Sequence, residues 1–317
     1  MHTKKASHWF ASYFCGVERG IPTLLMIRPA SFGFNTETAA SNHYQQAAAA
    51  VANVQQQALA EFDEFVTLLQ QHEIPVKVWE DDTTVIRPDA VFPNNWFSTH
   101  PNGSLALYPM EAPNRRAERR SDIIDWLQKE FQYHTLYNLT AHEREGRYLE
   151  GTGSVLFDFA NGLAWASFSS RTHADVLLEL CEKLSLLPIV FKAVDTNQRP
   201  VYHTNVIMAL HPKLAIVCTE SIADHSDKTT VERMLQKTGR SILHISHTQV
   251  NAFAGNALFV KNRAGKDFVV LSQTGWNSLT AGQQAMLAQT ATPVTPDIRT
   301  IEQIGGGSAR CMLAELY

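Results

Sequence analysis

Residues 149–168 read LEGTGSVLFDFANGLAWASF, and the order of glycine turn, strand, turn and strand in this stretch decides the fold. The dipeptide Asn161-Gly162 between two strand-like runs predicts a β-hairpin, because both residue types tolerate the positive φ angles of tight turns. A helix pattern and another strand pattern come next. The predicted elements are strands at Ser154–Phe159 and Leu163–Phe168, a helix from about Thr172 to Leu186 and a strand at Pro188–Ala193.

This unit of hairpin, helix and strand recurs along the chain. Further hairpin turns are predicted at Asn102-Gly103, His211-Pro212-Lys213 and Arg263–Lys266, each followed by a helix pattern. After the Asn102-Gly103 turn, that helix is predicted from about Arg115 to Phe131. Regular repetition of one supersecondary unit is typical of solenoids and propellers.

A fifth unit is split between the two ends of the chain. Leu24–Ile27 and Cys311–Leu316 both have strand character, and the first long helix pattern, from about Asn42 to Gln71, belongs with them. Pairing the two end strands would close the sheets into a ring and remove exposed strand edges. We therefore predict an α/β fold, a five-bladed α/β-propeller with pseudo-fivefold repeats closed by the N- and C-terminal strands. The alternative is an ordinary α/β sheet with antiparallel hairpins.

The composition indicates a folded protein without a polyanion-binding tract or a strongly acidic tail. Of the 317 residues, 44% are hydrophobic and 18% are charged, and the formal net charge is −4. Neither nucleic acid nor a membrane surface is an expected partner of such a chain. No apolar run approaches the roughly 20 residues that a membrane span needs. No linker divides the sequence, so we expect one catalytic domain at residues 22–317 after an N-terminal extension at residues 1–21.

The cysteine and histidine patterns narrow the chemistry. Cys15, Cys181, Cys218 and Cys311 are far apart and form no C-x-x-C pair, which fits a reducing, cytoplasmic location. The histidines form no metal-binding motif, so we expect neither a metal nor another cofactor. These features leave the oligomeric state open, including a homo-oligomer.

The residues that precede the hairpins carry the candidate chemistry. Equivalent positions recur at steps of 55, 53, 53 and 55 residues, and equal spacing around a ring places them about one axis. They are Asn95, Glu150, His203, Asn256 and Cys311. We therefore expect these five side chains to converge on a central cavity, although the spacing assigns Asn256 no task.

A thiol, an imidazole and a carboxylate in one cavity are the components of nucleophilic catalysis. Cys311 is the candidate nucleophile, and His203 is the candidate acid–base group that takes the thiol proton and later protonates a leaving amine. Glu150 would orient His203 or accept a substrate N–H. Taken singly, each residue has a structural interpretation: a core cysteine, a hydrogen-bonded histidine and a tight glycine turn. Their common phase in the repeat favours catalysis.

With these residues in place, residues 22–317 resemble the amidinotransferase or guanidine-modifying superfamily, the five-bladed α/β-propellers called penteins. Gly305–Met312 is similar to the nucleophile motif of that superfamily, His203–Asn205 to its catalytic-histidine segment and Glu150–Gly153 to its acidic turn. The resemblance implies a cysteine-dependent hydrolase that cleaves a C–N bond of a ureido or guanidino amino acid. A covalent intermediate on the cysteine is implied as well, and no cofactor.

Two further segments, PDAVFPNN at 88–95 and APNRRAE at 112–118, resemble dimethylarginine dimethylaminohydrolases. The resemblance implies Arg115 and Arg171 as ligands of the substrate α-carboxylate, which an arginine fork binds through two hydrogen bonds. The alternative for both is a solvated helix start. The other implied substrate-binding residues are Asp89, Asn94, Asn95, Asn205, Phe34 and Asn35, the last two on a loop that could cover the substrate.

Asn94 and Asn95 stand where enzymes for arginine-type substrates carry two acidic residues. A guanidinium is permanently charged, whereas a neutral ureido group offers the mixture of donors and acceptor that an amide matches. Together with MIRP at 26–29 and FGFN at 32–35, these asparagines make the chain resemble the citrulline-utilisation hydrolases most. That resemblance implies conversion of citrulline to ornithine, ammonia and carbon dioxide. The alternatives are arginine deiminase or dimethylarginine dimethylaminohydrolase activity, amidino transfer, and a non-catalytic pentein binding protein.

Overall fold

The computed structural model describes residues 20–46 and 53–317. Most of the predicted N-terminal extension, with Cys15, lies outside the described residues. Within them the chain forms five separate three-stranded sheets, and each sheet contains one antiparallel and one parallel strand pair. This mixed α/β arrangement is consistent with pseudo-fivefold repeats.

Most elements are short and follow the predicted order. The strands lie at Thr23–Arg28, Val76–Glu80, Phe97–Thr99, Ser104–Leu107, Thr135–Asn138, Val155–Asp158, Leu163–Phe168, Leu187–Lys192, Met208–Leu210, Leu214–Val217, Ser241–His244, Leu258–Lys261, Asp267–Val270, Thr292–Val294 and Ala314–Leu316. The α-helices lie at Val54–Gln71, Ser121–Glu130, Gly151–Ser154, Ala174–Leu184, His225–Lys237, His247–Asn251, Gln273–Ser278, Ala281–Thr290 and Arg299–Gly305. None of these described helices is both long and apolar enough to span a bilayer.

The two ends of the described chain share one sheet. Thr23–Arg28 pairs antiparallel with Ala314–Leu316 on one edge and in parallel with Val76–Glu80 on the other. The helix Val54–Gln71 connects the two parallel strands, which is the usual way to join such a pair. The predicted pairing of the first and last strands is therefore present.

The helix Val54–Gln71 buries one face against this sheet. Phe62, Phe65 and Leu69 have no exposed surface and belong to the same apolar cluster as Leu24 of the first strand. Their spacing of three and four residues places them on one side of the helix. Each such buried side chain contributes about 1.5–3 kcal/mol to folding, so the helix is fixed by packing.

The predicted start of that helix at Asn42 is wrong. Asn42 and Gln46 lie in an irregular segment, and the helix begins at Val54. The Asn42 side chain donates to the Gly306 carbonyl oxygen at 3.2 Å, and the Gln46 N–H donates to the Gln303 carbonyl oxygen at 2.7 Å. These tertiary hydrogen bonds override the local helix propensity and hold the segment over the glycine-rich loop.

The predicted helix at Arg115–Phe131 is also interrupted. A 3₁₀ turn at Pro113–Glu118 comes first, and the α-helix Ser121–Glu130 follows. Arg115 points inward from the turn and is only 3% exposed. The break exists because this guanidinium makes tertiary contacts that a continuous surface helix would not allow.

The predicted C-terminal strand begins later than expected. Cys311 lies in a 3₁₀ turn, Ala309–Met312, and the strand starts at Ala314. The Cys311 N–H donates to the Ser308 carbonyl oxygen at 2.9 Å. The candidate nucleophile is therefore held by a turn and not by a β-ladder.

Candidate active site

Turns before the hairpins bring together the five equivalent residues, which we call the corner residues: Asn95, Glu150, His203, Asn256 and Cys311. Glu150 Oε2 lies 2.9 Å from His203 Nε2, and Asn256 Nδ2 lies 3.3 Å from Cys311 Sγ. Asn95 packs beside His203 across a glycine turn. All five side chains are at most 4% exposed, so the spacing in the sequence corresponds to a shared buried site.

The packing of this site depends on two glycines, Gly151 and Gly153. Gly151 has φ +48°, and a Cβ atom there would overlap the carbonyl oxygen of Asn94. A Cβ atom on Gly153 would lie 2.6 Å from Asn95 Nδ2 and 2.8 Å from the His203 ring. The amide and the imidazole therefore rest directly on backbone.

The buried carboxylate of Glu150 is well compensated. Its Oε2 atom lies 3.3 Å from Arg171 Nη1 as well as close to His203, and its Oε1 atom accepts the Glu111 N–H at 3.0 Å. Burial alone would raise the pKa of Glu150, but the Arg171 charge and the His203 hydrogen bond outweigh it and hold the pKa well below its usual range. Glu150 is therefore ionised at neutral pH.

His203 is held as a neutral base. Burial lowers its pKa, and the neighbouring Glu150 opposes this shift only in part. Because an ionised carboxylate only accepts hydrogen bonds, His203 Nε2 carries the proton, an assignment that follows from its partner. The lone pair is then on Nδ1, on the side of Gly153 and Asn95.

The sulfur of Cys311 lies among amides. Burial raises the pKa of this thiol, whereas a backbone hydrogen bond at Ser308 and the side-chain hydrogen bond from Asn256 lower it. Asn205 Nδ2 is a more distant donor, 3.9 Å from Sγ. The other described cysteines, Cys181 and Cys218, lie in apolar clusters, as their sequence context predicts.

A small cavity of about 20 Å³ lies beside the sulfur and the imidazole. This volume accommodates about one water molecule, so an amino acid can enter only when part of the wall moves. The predicted site residues in the wall are Asp89, Asn95, Arg115, Arg171, His203 and Cys311.

Arg115 is buried, so the interpretation of a solvated helix start is wrong. Its Nε and Nη2 atoms each lie 2.8 Å from a Glu118 carboxylate oxygen, and Nη1 donates to Asn95 Oδ1 at 2.8 Å. Burial raises the pKa of Glu118 to about 7, although the guanidinium opposes the shift. All three nitrogens of Arg115 therefore have protein acceptors.

Arg171 is 2% exposed, so it is not a solvated helix start either. Besides the Glu150 contact, its Nε atom donates to Glu111 Oε2 at 3.2 Å and Nη2 donates to Ser41 Oγ at 2.7 Å. Its guanidinium carbon lies 5.0 Å from the Tyr202 ring centroid. Glu111 and Ser41 are the partners that an incoming carboxylate could replace, since both are partly exposed.

Asp89 connects the cavity to the covering segment, the irregular stretch of residues 34–46. Asn35 Nδ2 donates to Asp89 Oδ2 at 2.7 Å, while Asp89 Oδ1 is buried without a hydrogen-bond partner. Burial raises the pKa of Asp89, against the effect of Arg115 at 3.6 Å. Phe34 is half-buried against the apolar cluster that includes Phe62 and does not line the cavity.

The structure separates the two sequence-predicted asparagines. Asn94 is turned towards Thr152, whose Oγ1 atom accepts from Asn94 Nδ2 at 3.2 Å, and it does not line the cavity. Asn95 does line the cavity, and its Nδ2 atom is buried without a hydrogen-bond partner. Asn205 lies beside the sulfur, with Oδ1 unpaired.

Sequence reasoning missed the wall residues Thr38, Asn42 and Tyr202. Tyr202 donates its hydroxyl to the Gly306 carbonyl oxygen at 2.8 Å. Tyr202 directly precedes His203 in the sequence, and this position is the feature from which a place in the site could have been predicted. The first two lie next to or within a pattern that predicts a helix, and no local feature marks them.

Larger cavities lie away from the sulfur. One of about 550 Å³ is lined by residues that include Phe157 and Arg240, and one of about 450 Å³ includes Tyr44 and Arg199. Neither contains a predicted site residue. Across residues 20–46 and 53–317, no group of three or more His, Cys, Asp or Glu side chains is placed to hold a metal ion.

The family model described as N,N-dimethylarginine dimethylhydrolase, eukaryotic, matches residues 28–317. No curated protein sequence matches the chain significantly. The matched region includes every corner residue and all of the cavity wall.

Solved structures share the fold at low sequence identity. The apo structure of ArgZ, an arginine dihydrolase from the ornithine–ammonia cycle in cyanobacteria, has a TM-score of 0.73 and 16% identity, over 93% of this chain and 40% of that chain. The N-terminal domain of ArgZ bound to product has a TM-score of 0.71 and 17% identity, over 94% of this chain and 98% of that domain. A dimethylarginine dimethylaminohydrolase variant in an adduct with S-methyl-L-thiocitrulline has a TM-score of 0.63 and 15% identity, over 93% of this chain and 100% of that chain. The chain thus spans less than half of full-length ArgZ.

Proposed function

The chain belongs to the N,N-dimethylarginine dimethylhydrolase family and is a pentein-type hydrolase of carbon–nitrogen bonds, and on this basis we propose that it hydrolyses citrulline to ornithine, ammonia and carbon dioxide. The interpretation as a non-catalytic binding protein is therefore wrong. In the proposal Cys311 is the nucleophile, His203 the acid–base group and Glu150 the residue that orients it. Residues 22–317 act as one catalytic domain whose five sheets close into a ring.

The orientation of the Asn95 amide is the observation that supports a ureido substrate. Arg115 can only donate hydrogen bonds, so the atom that faces its Nη1 at 2.8 Å must be Asn95 Oδ1. Asn95 Nδ2 is then a buried donor without a partner beside Gly153 and the His203 ring, on a residue that lines the cavity. Leaving such a donor unpaired costs about 1–3 kcal/mol, and a ureido oxygen would satisfy it.

A guanidinium fits the same place poorly. It carries donors only, so it offers nothing to Asn95 Nδ2. Glu150, the carboxylate at this end of the site, already accepts from His203, Arg171 and the Glu111 N–H. A cation near the sulfur would therefore meet an unpaired donor and a Glu150 carboxylate that already accepts three hydrogen bonds.

The first half of the reaction forms the covalent intermediate. The Cys311 proton moves to His203 Nδ1, and the sulfur attacks the ureido carbon. Asn95 Nδ2 donates to the ureido oxygen as negative charge develops there, a stabilisation that a rigid buried donor provides without reorganisation. His203 then protonates the leaving nitrogen as its C–N bond breaks, which leaves a thiocarbamate-type bond on Cys311.

The second half uses one water molecule. His203 removes a proton from this water, the hydroxide attacks the thiocarbamate carbon, and the C–S bond breaks with return of the proton to Cys311. The remaining carbon–nitrogen bond is lost by decomposition of the carbamate. One citrulline and one water thus give ornithine, ammonia and carbon dioxide, and no redox or metal step is needed.

The α-amino acid end is placed by the arginines and by Asp89. The substrate carboxylate binds Arg171 by displacing Glu111 and Ser41, and Arg115 contributes charge from behind Asn95. The unpaired Asp89 Oδ1 atom accepts from the α-ammonium group. Asn35 and Phe34 belong to the segment that closes over the bound substrate. Asn94 acts at a distance through the turn that it shares with Thr152.

A second candidate is hydrolysis of a guanidino amino acid such as arginine or a methylated arginine. The description of the matching family and the likeness to an arginine dihydrolase favour it. It keeps the same nucleophile and differs at the cavity end that holds Asn95.

The test is product formation by purified full-length protein given citrulline, arginine and dimethylarginine in parallel, with Cys311→Ala as the control. Ammonia and ornithine from citrulline, abolished in the control, is the expected result. Formation of citrulline from either guanidino substrate would overturn the ureido proposal and leave the nucleophile in place.

A further inference from the structure

Asn256 stands at the fourth corner, and its side chain contacts the reacting sulfur. Its Nδ2 atom lies 3.3 Å from Cys311 Sγ and 3.1 Å from the Asn205 carbonyl oxygen. Its Oδ1 atom accepts the Arg310 backbone N–H at 3.0 Å. The reaction described above gives this buried amide no task.

The two ends of the Asn256 amide cannot be exchanged. A backbone N–H only donates and a carbonyl oxygen only accepts, so Arg310 fixes Oδ1 and Asn205 fixes Nδ2. Of the two hydrogens on Nδ2, one goes to the Asn205 carbonyl and the other points to the sulfur. The Oδ1 atom is also 3.6 Å from Sγ, but the shorter contact is the one in which nitrogen donates.

The backbone around Asn256 is held rigidly. Gly255 packs so closely on the neighbouring turn that a Cβ atom would overlap the Val206 carbonyl oxygen. Phe253 has a positive φ of 62°, which a bulky residue adopts only when the surrounding structure imposes it. Asn256 itself is 1% exposed. A donor fixed in this way keeps its direction when charge appears on the sulfur.

Among the described residues, no cationic side chain donates a hydrogen bond to the sulfur, although the charges of Arg310 and Arg115 lower the pKa of the thiol. His203 is neutral before the reaction, and the Arg310 guanidinium is directed to the Leu313 carbonyl oxygen and to Glu315 at 2.7 and 3.0 Å. Within the described chain, the side-chain donors that reach Sγ are the amides of Asn256 and, more distantly, Asn205. Hydrogen bonds to an ionised acceptor are about twice as strong as neutral ones.

We propose that Asn256 is a catalytic residue that stabilises the Cys311 thiolate through its Nδ2–H donor. The thiol proton goes to His203 Nδ1, the electron pair stays on sulfur, and no covalent bond to Asn256 forms or breaks. The proposal rests on the cysteine nucleophile of the proposed function and is independent of the substrate.

The test measures the titration of the thiol without substrate. Iodoacetamide modification of Cys311 in the full-length protein is followed by peptide mass spectrometry from about pH 6 to pH 11, so the other cysteines do not contribute. Asn256→Asp keeps the acceptor for Arg310 and replaces the donor by a negative charge. We expect the midpoint to rise by about one pH unit or more and the rate at neutral pH to fall about tenfold. In turnover assays, Asn256→Asp should have a lower kcat and a similar KM. The acid limb of its pH–rate profile should lie at higher pH than that of the wild type.

Two further variants make the result decisive. Asn251→Asp introduces the same charge at an exposed position and should leave the midpoint unchanged. Asn256→Ala removes the donor without adding charge, and a smaller rise is expected; it also replaces the aspartate variant if that one does not fold. An unchanged midpoint in a folded Asn256 variant overturns the proposal. A shifted midpoint with no citrulline turnover by the wild type supports it while refuting the proposed substrate.

Discussion

The Nη1 atom of Arg115 lies 2.8 Å from Asn95 Oδ1, and this contact leaves Asn95 Nδ2 as a buried donor without a partner beside Gly153 and the His203 ring. Arg115, which the sequence resemblance assigns to the substrate carboxylate, thus also fixes which atom of the Asn95 amide is the acceptor and which is the donor. Glu118 holds the guanidinium in place through two hydrogen bonds. In the proposed reaction, substrate specificity therefore depends on a buried chain of three side chains, Glu118, Arg115 and Asn95.

Replacing the donor Nδ2 of Asn95 by an acceptor oxygen should change the preferred substrate. Asn95→Asp retains the acceptor for Arg115 and puts a second acceptor where Nδ2 lies. We expect kcat/KM for citrulline to fall about 100-fold, which corresponds to one lost donor plus repulsion of the developing oxyanion, and arginine turnover to rise. Parallel assays of ornithine and citrulline formation check this. Asn102→Asp, the same change in an exposed hairpin turn, should leave the ratio as in the wild type.

Gly153→Ala should inactivate the protein and destabilise it. The new Cβ atom would lie within 2.8 Å of both Asn95 and His203, and overpacking of this kind costs about 1–3 kcal/mol. Urea unfolding and citrulline turnover measure the two effects. Gly282→Ala is the matched control, because its Cβ atom would meet open space in an exposed helix. It should gain about 0.5–1 kcal/mol and keep full activity; equal behaviour of both variants would contradict the packing argument.

Loosening the covering segment should expose the sulfur. Asn42→Ala removes the hydrogen bond to the Gly306 carbonyl oxygen, which joins two residues in the wall of the 20 Å³ cavity. We expect iodoacetamide to modify Cys311 severalfold faster at a fixed pH, and KM for the substrate to rise. His43→Ala changes the exposed neighbouring residue and should have no effect. A wild-type modification rate in Asn42→Ala would show that the segment opens independently of this contact.

Stability should decrease on mild acidification because of His203. Its pKa is lowered in the folded protein by burial, so below the unfolded value of about 6.5 the unfolded chain binds the extra proton and is favoured. Glu150, whose pKa is lowered, adds to the loss only below its own unfolded value of about 4.3. Urea unfolding between these limits should show a smaller pH slope in His203→Gln, by up to about 1.4 kcal/mol per pH unit. Parallel slopes would mean that His203 is protonated in the native state.

The corner residues were predictable because they recur at nearly equal intervals along the sequence. Asn161-Gly162 marked a hairpin turn, and Gly162 indeed has φ +65° in the structure. Once five such units were recognised, the phase of Glu150, His203 and Cys311 followed without any knowledge of side-chain contacts.

The covering segment and the amide orientation were not predictable in this way. The Asn42 helix pattern gives no sign that Gly306, far along the chain, will compete for its hydrogen bond. Asn94 and Asn95 are indistinguishable in sequence, yet one turns to Thr152 and the other to Arg115. Both outcomes depend on tertiary partners, which local propensity does not encode.

The pairing of Thr23–Arg28 with Ala314–Leu316 has a consequence for biosynthesis. The ribosome makes Cys311 and its neighbouring strand after every other described residue of the pocket, and the strand partner lies almost the whole chain length away. Contacts of such long sequence separation form slowly. A nascent chain therefore carries the imidazole and the carboxylate without the thiol, and the proposed hydrolysis cannot start before the first and last strands have met.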